Sequence, residues 1–198
     1  MRTSSSCPML WPLFMPEERL EELRRTDGGL AETVERERTA VVKAMQRCAQ
    51  VIGVDMVRLE PLQLIRYSPG QYYRPHMDTH EEPQRMSSYS GEQRTHTLLV
   101  FMNDVPKEDG GGHLSFPNLG LQVLPRAGDA VLWPNLRDGK PDPQALHEGV
   151  APNSCEKVAM NVWVADQPFS LKAITAWQQG QQRCQEQPAS AASSTWLD

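Results

Sequence analysis

The stretch His147-Glu148-Gly149-Val150-Ala151-Pro152-Asn153-Ser154-Cys155-Glu156-Lys157-Val158-Ala159-Met160-Asn161-Val162-Trp163-Val164 reads as two strands joined through a turn. Its second half is rich in valine and long enough for a strand, and its middle is punctuated by Pro152, Asn153 and Ser154. A hairpin folded symmetrically about Pro152 would set His147 opposite Lys157, and opposed residues share one face of a sheet with Cβ atoms about 5 Å apart. Trp163 lies in phase with Lys157 along the same strand and is expected to face the same way.

Working outward, the segment Tyr73-Arg74-Pro75-His76-Met77-Asp78 supplies a partner for that face. In an extended chain successive side chains alternate, so His76 and Asp78 point to one side and can grip a single ion. A His-x-Asp pair with a distant second histidine, His147, is the ligand set of the two-histidine, one-carboxylate triad, which leaves coordination positions of Fe(II) open. With Lys157 one ligand-length away, a dicarboxylate could chelate the metal at one end and be clamped by the ammonium at the other. 2-Oxoglutarate fits that description. His80 is in phase with Asp78 and offers a local alternative as third ligand, but it would leave the His147–Lys157 register unexplained. His96 and His113 read as ordinary polar residues.

Further strand-length runs are Leu62–Tyr67, Thr97–Met102, Leu114–Phe116, Leu121–Leu124 and Asp129–Trp133, separated by Gly, Pro, Asn and Asp turns. Gly110-Gly111-Gly112 lacks a following Gly-Lys-Ser/Thr and reads as a turn needing positive φ rather than a phosphate cradle. Before residue 55 the pattern is helical. Pro16 followed by Glu17 and Glu18 signals a helix start. Val34, Val41, Ala44 or Met45, Cys48 and Val51 or Ile52 form an apolar stripe on a longer helix, Ala31–Val51, which Gly53 ends. Residues 7–16, interrupted by Pro8, Pro12 and Pro16, read as a packed loop or edge strand rather than a leader peptide.

Many short strands after a helical lead predict an α+β, mainly β chain folded as a sandwich or jelly roll, with the N-terminal helices packed on one side. The expected division is a helical support over 1–54, a catalytic β domain over 55–166, and an extension over 167–198 whose Gln-, Ser- and Ala-rich end from about 178 is a mobile tail.

Composition narrows the class further. The 198 residues allow one domain with a substantial core. A net charge of −5 with both signs interspersed gives no electrostatic footprint for nucleic acid. The longest unbroken apolar run, Leu98–Met102, is far too short for a membrane span. Cys7, Cys48, Cys155 and Cys184 form no CxxC, so neither a zinc site nor a disulfide framework is indicated. Compartment stays open, with cytoplasm as the default.

Taken together, residues 62–164 resemble the catalytic domain of the prolyl 4-hydroxylase family of Fe(II)- and 2-oxoglutarate-dependent dioxygenases. The phrases that carry the resemblance are Leu62–Tyr73 leading into His76-Met77-Asp78, Gln93-Arg94-Thr95, Gly111–Pro117, Gly128–Trp133, Asn135-Leu136 with Asp138-Gly139, and Leu146-His147 with Lys157 ten positions later. Arg2-Thr3-Ser4-Ser5 is similar to a phrase that precedes the family's helical segment. The family normally has an earlier strand and helix, so the resemblance implies an amino-terminally incomplete product.

The resemblance implies a double-stranded β-helix in which His76, Asp78 and His147 bind iron and Lys157 binds the distal carboxylate of 2-oxoglutarate. It also implies that Tyr73 bonds that carboxylate, and that Tyr67, Arg94 and Trp163 line the pocket or its substrate-facing side. The implied reaction oxidises 2-oxoglutarate to succinate and CO₂ with O₂ while hydroxylating proline in a peptide or protein, with L-ascorbate rescuing oxidised iron. The endoplasmic reticulum is the compartment the family suggests. Departures are Glu156 and Val158 where the family has Gly and Trp around its lysine, and Leu114 where it often has Thr. Two other function classes stand beside this one: a 2-oxoglutarate oxygenase of a different side chain or small molecule, with its specificity in loops 80–91 and 134–144, and an inactive relative acting as a binding module.

Overall fold

Alternation along the strand that follows Glu156 organises the molecule. In the computed structural model, which describes residues 1–9, 13–79 and 93–168, this strand runs Lys157–Ala165. Val158, Met160, Val162 and Val164 fall on one face, Lys157, Ala159, Asn161 and Trp163 on the other. The first set packs outward against a helix, and the second turns toward a facing sheet.

The elements in chain order are β1 (Ser5–Pro8), α1 (Glu17–Thr26), α2 (Gly28–Ile52), β2 (Gln63–Tyr67), β3 (Tyr73–His76), β4 (Arg94–Phe101), β5 (Leu114–Phe116), β6 (Leu121–Val123), β7 (Ala130–Pro134), β8 (Leu136–Arg137), β9 (Lys140–Pro141), β10 (His147–Gly149) and β11 (Lys157–Ala165). They form a five-stranded sheet ordered β1-β2-β11-β4-β7 and a four-stranded sheet ordered β3-β10-β5-β6, with β8 and β9 paired separately. Every pairing is antiparallel. This is the expected double-stranded β-helix, and Cys7 and Pro8, the start of the segment read as a packed loop or edge strand, lie in the edge strand β1.

Both helices start and stop where their caps dictate. Glu17 and Glu18 open α1 after Pro16, Arg24 and Arg25 close it, and Leu20 and Leu23 are buried with Met15, Ala31 and Val34. The Asp27 carboxylate accepts from the Leu30 amide at 3.0 Å to cap α2. Gly53, at φ 79°, ends it in the left-handed conformation. The apolar stripe of α2, Val41, Met45, Cys48 and Ala49, packs on Leu59, Leu62, Leu98, Met160, Val162 and Val164 of the outer sheet face. A second cluster fills the space between the sheets, with Ile65, Tyr67, Leu99, Phe101, Trp133 and Ala159 of the five-stranded sheet meeting Leu114 and Phe116 of the other.

One expectation fails. His147 and Lys157 are not opposed in a hairpin, because β10 and β11 belong to different sheets. His147 pairs with His76, and Lys157 with Tyr67. The intervening segment crosses between the sheets, and its polar backbone groups are satisfied elsewhere. The Asp109 carboxylate accepts from the amides of Asn153 at 2.8 Å, Ser154 at 2.7 Å and Cys155 at 3.2 Å. The Ala151 carbonyl accepts from Gly112 at 2.9 Å and the Pro152 carbonyl from Gly70 at 2.8 Å. With these groups bonded to two loops, no hairpin ladder remains to be made.

The triglycine turn has the expected backbone, with Gly110 at φ 71° and Gly112 at φ 75°. Gly111 is required for closeness instead, since a Cβ there would lie 2.2 Å from the Ala151 carbonyl oxygen. Within the segment expected to be a specificity loop, Asp138 (φ 51°) and Gly139 (φ 73°) make a two-residue turn between β8 and β9. That Asp-Gly pair is a strong hairpin signal. His80, Cys184, the whole 80–91 loop and the tail from 178 lie outside the described residues.

Candidate functional site

The four-stranded sheet brings the first two histidines together directly, because His76 and His147 are register partners on adjacent strands. Their rings sit with centroids 4.3 Å apart. Asp78 lies just past the end of β3, in a bend rather than in the strand, and still reaches the same point. Its Oδ1 is 3.8 Å from His76 Nε2 and its Oδ2 is 3.7 Å from His147 Nε2. One ligand atom from each of the three residues falls within 4.8 Å of the others.

The surroundings prepare these atoms for a cation. His76 Nδ1 lies 2.8 Å from the Arg74 carbonyl and His147 Nδ1 lies 2.9 Å from the Ala145 carbonyl. A carbonyl only accepts, so each Nδ1 carries a proton, which leaves Nε2 as the ring atom turned to the shared point. Burial, reinforced by the neighbouring His147, lowers the His76 pKa to about 4, so this imidazole is neutral at pH 7. Burial alone would raise the pKa of Asp78. The two imidazoles and a hydrogen bond from the Thr97 hydroxyl outweigh it and hold the carboxylate below its usual range. Two imidazole nitrogens and one carboxylate oxygen suit a divalent transition metal with positions left open.

Behind these residues lies a cavity lined by Tyr67, Tyr73, His76, Trp133, His147 and Lys157, with Ile65, Leu99, Leu114 and Ala159 as its apolar walls and Gly149 and Asn161 completing it. Lys157 is 1% exposed. Among the described residues its ammonium meets one hydrogen-bond acceptor, the His113 carbonyl at 3.2 Å, and no carboxylate. Burial without a counter-charge lowers its pKa to about 7. Lys157 is thus a buried cation with which an anion entering the cavity could pair. The Tyr67 ring lies beneath it, with its centroid 5.0 Å from Nζ.

Tyr73 also lines the cavity, but its ring is stacked on His76 with centroids 3.5 Å apart. Arg94 forms a two-pronged pair with Glu60, at 2.7 and 2.8 Å, and its guanidinium lies 3.7 Å above the Trp163 ring centroid. Leu114 contributes a hydrocarbon wall to the cavity. Glu156, beside the lysine, is ion-paired with Arg66.

Several residues that hold the site were not found by reading the sequence. Thr97 donates to Asp78 Oδ2 at 2.7 Å and accepts from the Asn135 amide at 2.9 Å. Its signal was a polar residue in phase with Leu99 and Phe101 on an otherwise apolar strand face. Glu60 sat between Leu59 and Pro61 as an acid in an apolar run. Asp109 gave no comparable signal, because its partners lie more than 40 residues away.

Residues 62–165 match the family profile described as the 2OG-Fe(II) oxygenase superfamily, over half of the chain. The chain belongs to that superfamily. Within it, the chain is 33% identical over 130 residues to prolyl 4-hydroxylase subunit alpha-2 of Gallus gallus, covering 65% of this chain and 23% of that protein. It is 29% identical over 163 residues to prolyl 4-hydroxylase 1 of Arabidopsis thaliana, covering 75% of this chain and 56% of that one. The chain thus spans little more than half, or less, of these relatives' length. Among solved structures, the viral collagen prolyl hydroxylase vCPH of Paramecium Bursaria Chlorella virus-1 in its 2OG complex superposes with a TM-score of 0.52 at 24% identity, covering 82% of this chain and 78% of that one. That likeness is one of fold. Among the described residues no helix is long and apolar enough to cross a membrane.

Proposed function

We propose that this chain is an Fe(II)- and 2-oxoglutarate-dependent dioxygenase that hydroxylates proline in a peptide or protein. In this reading His76, Asp78 and His147 hold the metal and Lys157 anchors the distal carboxylate of 2-oxoglutarate. The observation that carries it is the pairing of two features at one cavity: His76 and His147 of the converging triad in its lining, and a buried ammonium that has no counter-charge among the described residues. A short diacid satisfies both at once.

When bound, Fe(II) supplies activation of O₂ and the redox chemistry that couples 2-oxoglutarate oxidation to hydroxylation, giving succinate, CO₂ and one hydroxyl on the substrate. The chain's own residues bind and orient. Lys157 fixes one end of the co-substrate by a charge-assisted hydrogen bond, so that its oxo-acid end points toward the metal. Tyr67 supports the ammonium from below, and Ile65, Leu99, Leu114 and Ala159 keep water out of the space between. The stacked Arg94 and Trp163 provide a flat, charged surface on the substrate-facing side, with Glu60 holding the guanidinium in plane. Tyr73, stacked on His76, contributes orientation of that imidazole and a hydroxyl for the co-substrate. Ascorbate is assigned the role of keeping the metal reduced.

The preference for proline is supported by similarity to prolyl 4-hydroxylases. The test is to load purified protein with Fe(II), add 2-oxoglutarate and a proline-rich peptide, and measure succinate together with a mass gain of one oxygen atom on the peptide. Both are expected, and His76→Ala and His147→Ala should abolish both. Succinate formation that responds equally to free amino acids would move the assignment to another substrate class. Unchanged turnover in either histidine variant would remove the ligand set.

A further inference from the structure

Asp78 does not reach its position through β3, which ends at His76, so something else must hold its carboxylate. The structure offers a two-step relay from the opposite sheet. Thr97, on β4, donates its hydroxyl proton to Asp78 Oδ2 at 2.7 Å. The Thr97 oxygen accepts in turn from Asn135 Nδ2 at 2.9 Å. An amide nitrogen only donates and an ionised carboxylate only accepts, so the hydroxyl between them accepts from Asn135 and donates to Asp78, and the direction of the relay is set.

Asn135 is informative because it is a poor residue for stability where it stands. Thr97 and Asn135 are both 0% exposed. Among the described residues, Asn135 Oδ1 is buried with no hydrogen-bond partner. A buried acceptor left unpaired is destabilising, and an apolar side chain of similar volume would avoid the loss. The backbone of Asn135 needs no amide side chain either, since its N–H donates to the Thr95 carbonyl at 2.8 Å and its carbonyl accepts from Asp142 at 2.9 Å. What the side chain does is orient Thr97.

We propose that Thr97 and Asn135 are positioning residues that fix the Asp78 carboxylate, committing Oδ2 to the Thr97 hydroxyl so that the group presents one preferred oxygen to the metal. The inference rests on the assignment of His76, Asp78 and His147 as metal ligands. Asn135 also stands at the base of the β8–β9 hairpin, so the relay links the orientation of Asp78 to the loop at which that hairpin begins.

The test uses Mn(II) as a probe of the apo protein, with free aquo-Mn(II) counted by electron paramagnetic resonance and the melting temperature followed in parallel. Wild type is expected to bind Mn(II) and His147→Ala to lose binding. Thr97→Val should raise the Mn(II) dissociation constant by roughly 10- to 100-fold, the range seen when outer-shell partners are removed. Thr97→Ser, which keeps the hydroxyl, should bring it back close to wild type. Asn135→Leu should weaken Mn(II) binding several-fold while leaving the melting temperature unchanged or raised, a split that a purely structural role would not give. Should Thr97→Val fail to fold, the Thr97→Ser and Asn135→Leu measurements decide. Wild-type affinity in folded Thr97→Val, failure of Thr97→Ser to restore binding, or a lowered melting temperature with normal affinity in Asn135→Leu would overturn the relay. Retention of Mn(II) binding by His147→Ala would instead overturn the ligand assignment beneath it.

Discussion

Lys157 and Tyr67 face each other across the β2–β11 ladder, the ammonium 5.0 Å from the ring centroid and buried without a carboxylate in reach among the described residues. A cation so placed is costly until an anion arrives, and that cost is the lever for the first two predictions.

Lys157→Ala should weaken 2-oxoglutarate binding by ~1.5–3 kcal/mol, the value of a hydrogen bond to a charged group, while leaving metal affinity near wild type. The pH dependence has a definite sign. The folded pKa is about 7, below the ~10.4 of an unfolded lysine. Between these values the unfolded chain binds more protons, so the apo protein gains stability as pH rises from 7 toward 10. Below pH 7 the full burial penalty applies. Lys157→Met should flatten this rise, and melting curves at pH 6, 8 and 9.5 measure it. At pH 8, binding of the diacid should draw a proton onto Lys157, visible as a buffer-dependent enthalpy in calorimetry.

Gly149→Ala should damage the same anchor from the other side. The new Cβ would lie 2.7 Å from Tyr67 Oη and 3.0 Å from its Cζ, and a ring held in a core cannot yield as a flexible chain end would. A loss of ~1–3 kcal/mol of stability is expected from overpacking. Tyr67→Leu combined with Gly149→Ala should recover part of it. An unchanged melting temperature in the single variant would show that Tyr67 has room to move.

Asp109 predicts an acid-sensitive element. Hydrogen bonds from the amides of Asn153 and Ser154, with the Ser154 hydroxyl, hold its carboxyl well below the usual carboxylate range. Its folded pKa is depressed, so its contribution is full above the unfolded pKa of ~3.9 and fades as pH falls below that value. Asp109→Asn should therefore melt lower than wild type at pH 7, with the difference shrinking toward pH 3.

Arg94→Lys should raise the Michaelis constant for the peptide far more than that for 2-oxoglutarate. The bonds at 2.7 and 2.8 Å to Glu60 and the stacking on Trp163 both need a planar fork that an ammonium does not provide. Equal effects on both constants would place Arg94 in the co-substrate pocket instead.

Much of this site was legible in the sequence because its signals are local. His76-Met77-Asp78 is a short-range pattern, the alternation from Lys157 to Val164 sets which residues share a face, and Gly53 marks a helix end in any context. The hairpin error arose where the signal was long-range. Pro152 and Asn153 suit a turn equally well whether the chain doubles back or crosses to another sheet, and what decides is Asp109, more than 40 residues earlier. Thr97, Asn135 and Glu60 were missed for a related reason. Each matters through a partner distant in sequence, and only the packing of two sheets reveals which buried polar groups meet.

The crossover from β10 to β11 carries one further consequence. A single short tether delivers an imidazole to one wall of the cavity and an ammonium to the other, so the gap between them is gauged by how far apart the walls stand and not by strand register. Inserting or deleting one residue at Asn153 or Ser154 should therefore cost stability through the Asp109 bonds while leaving the length of diacid accepted unchanged.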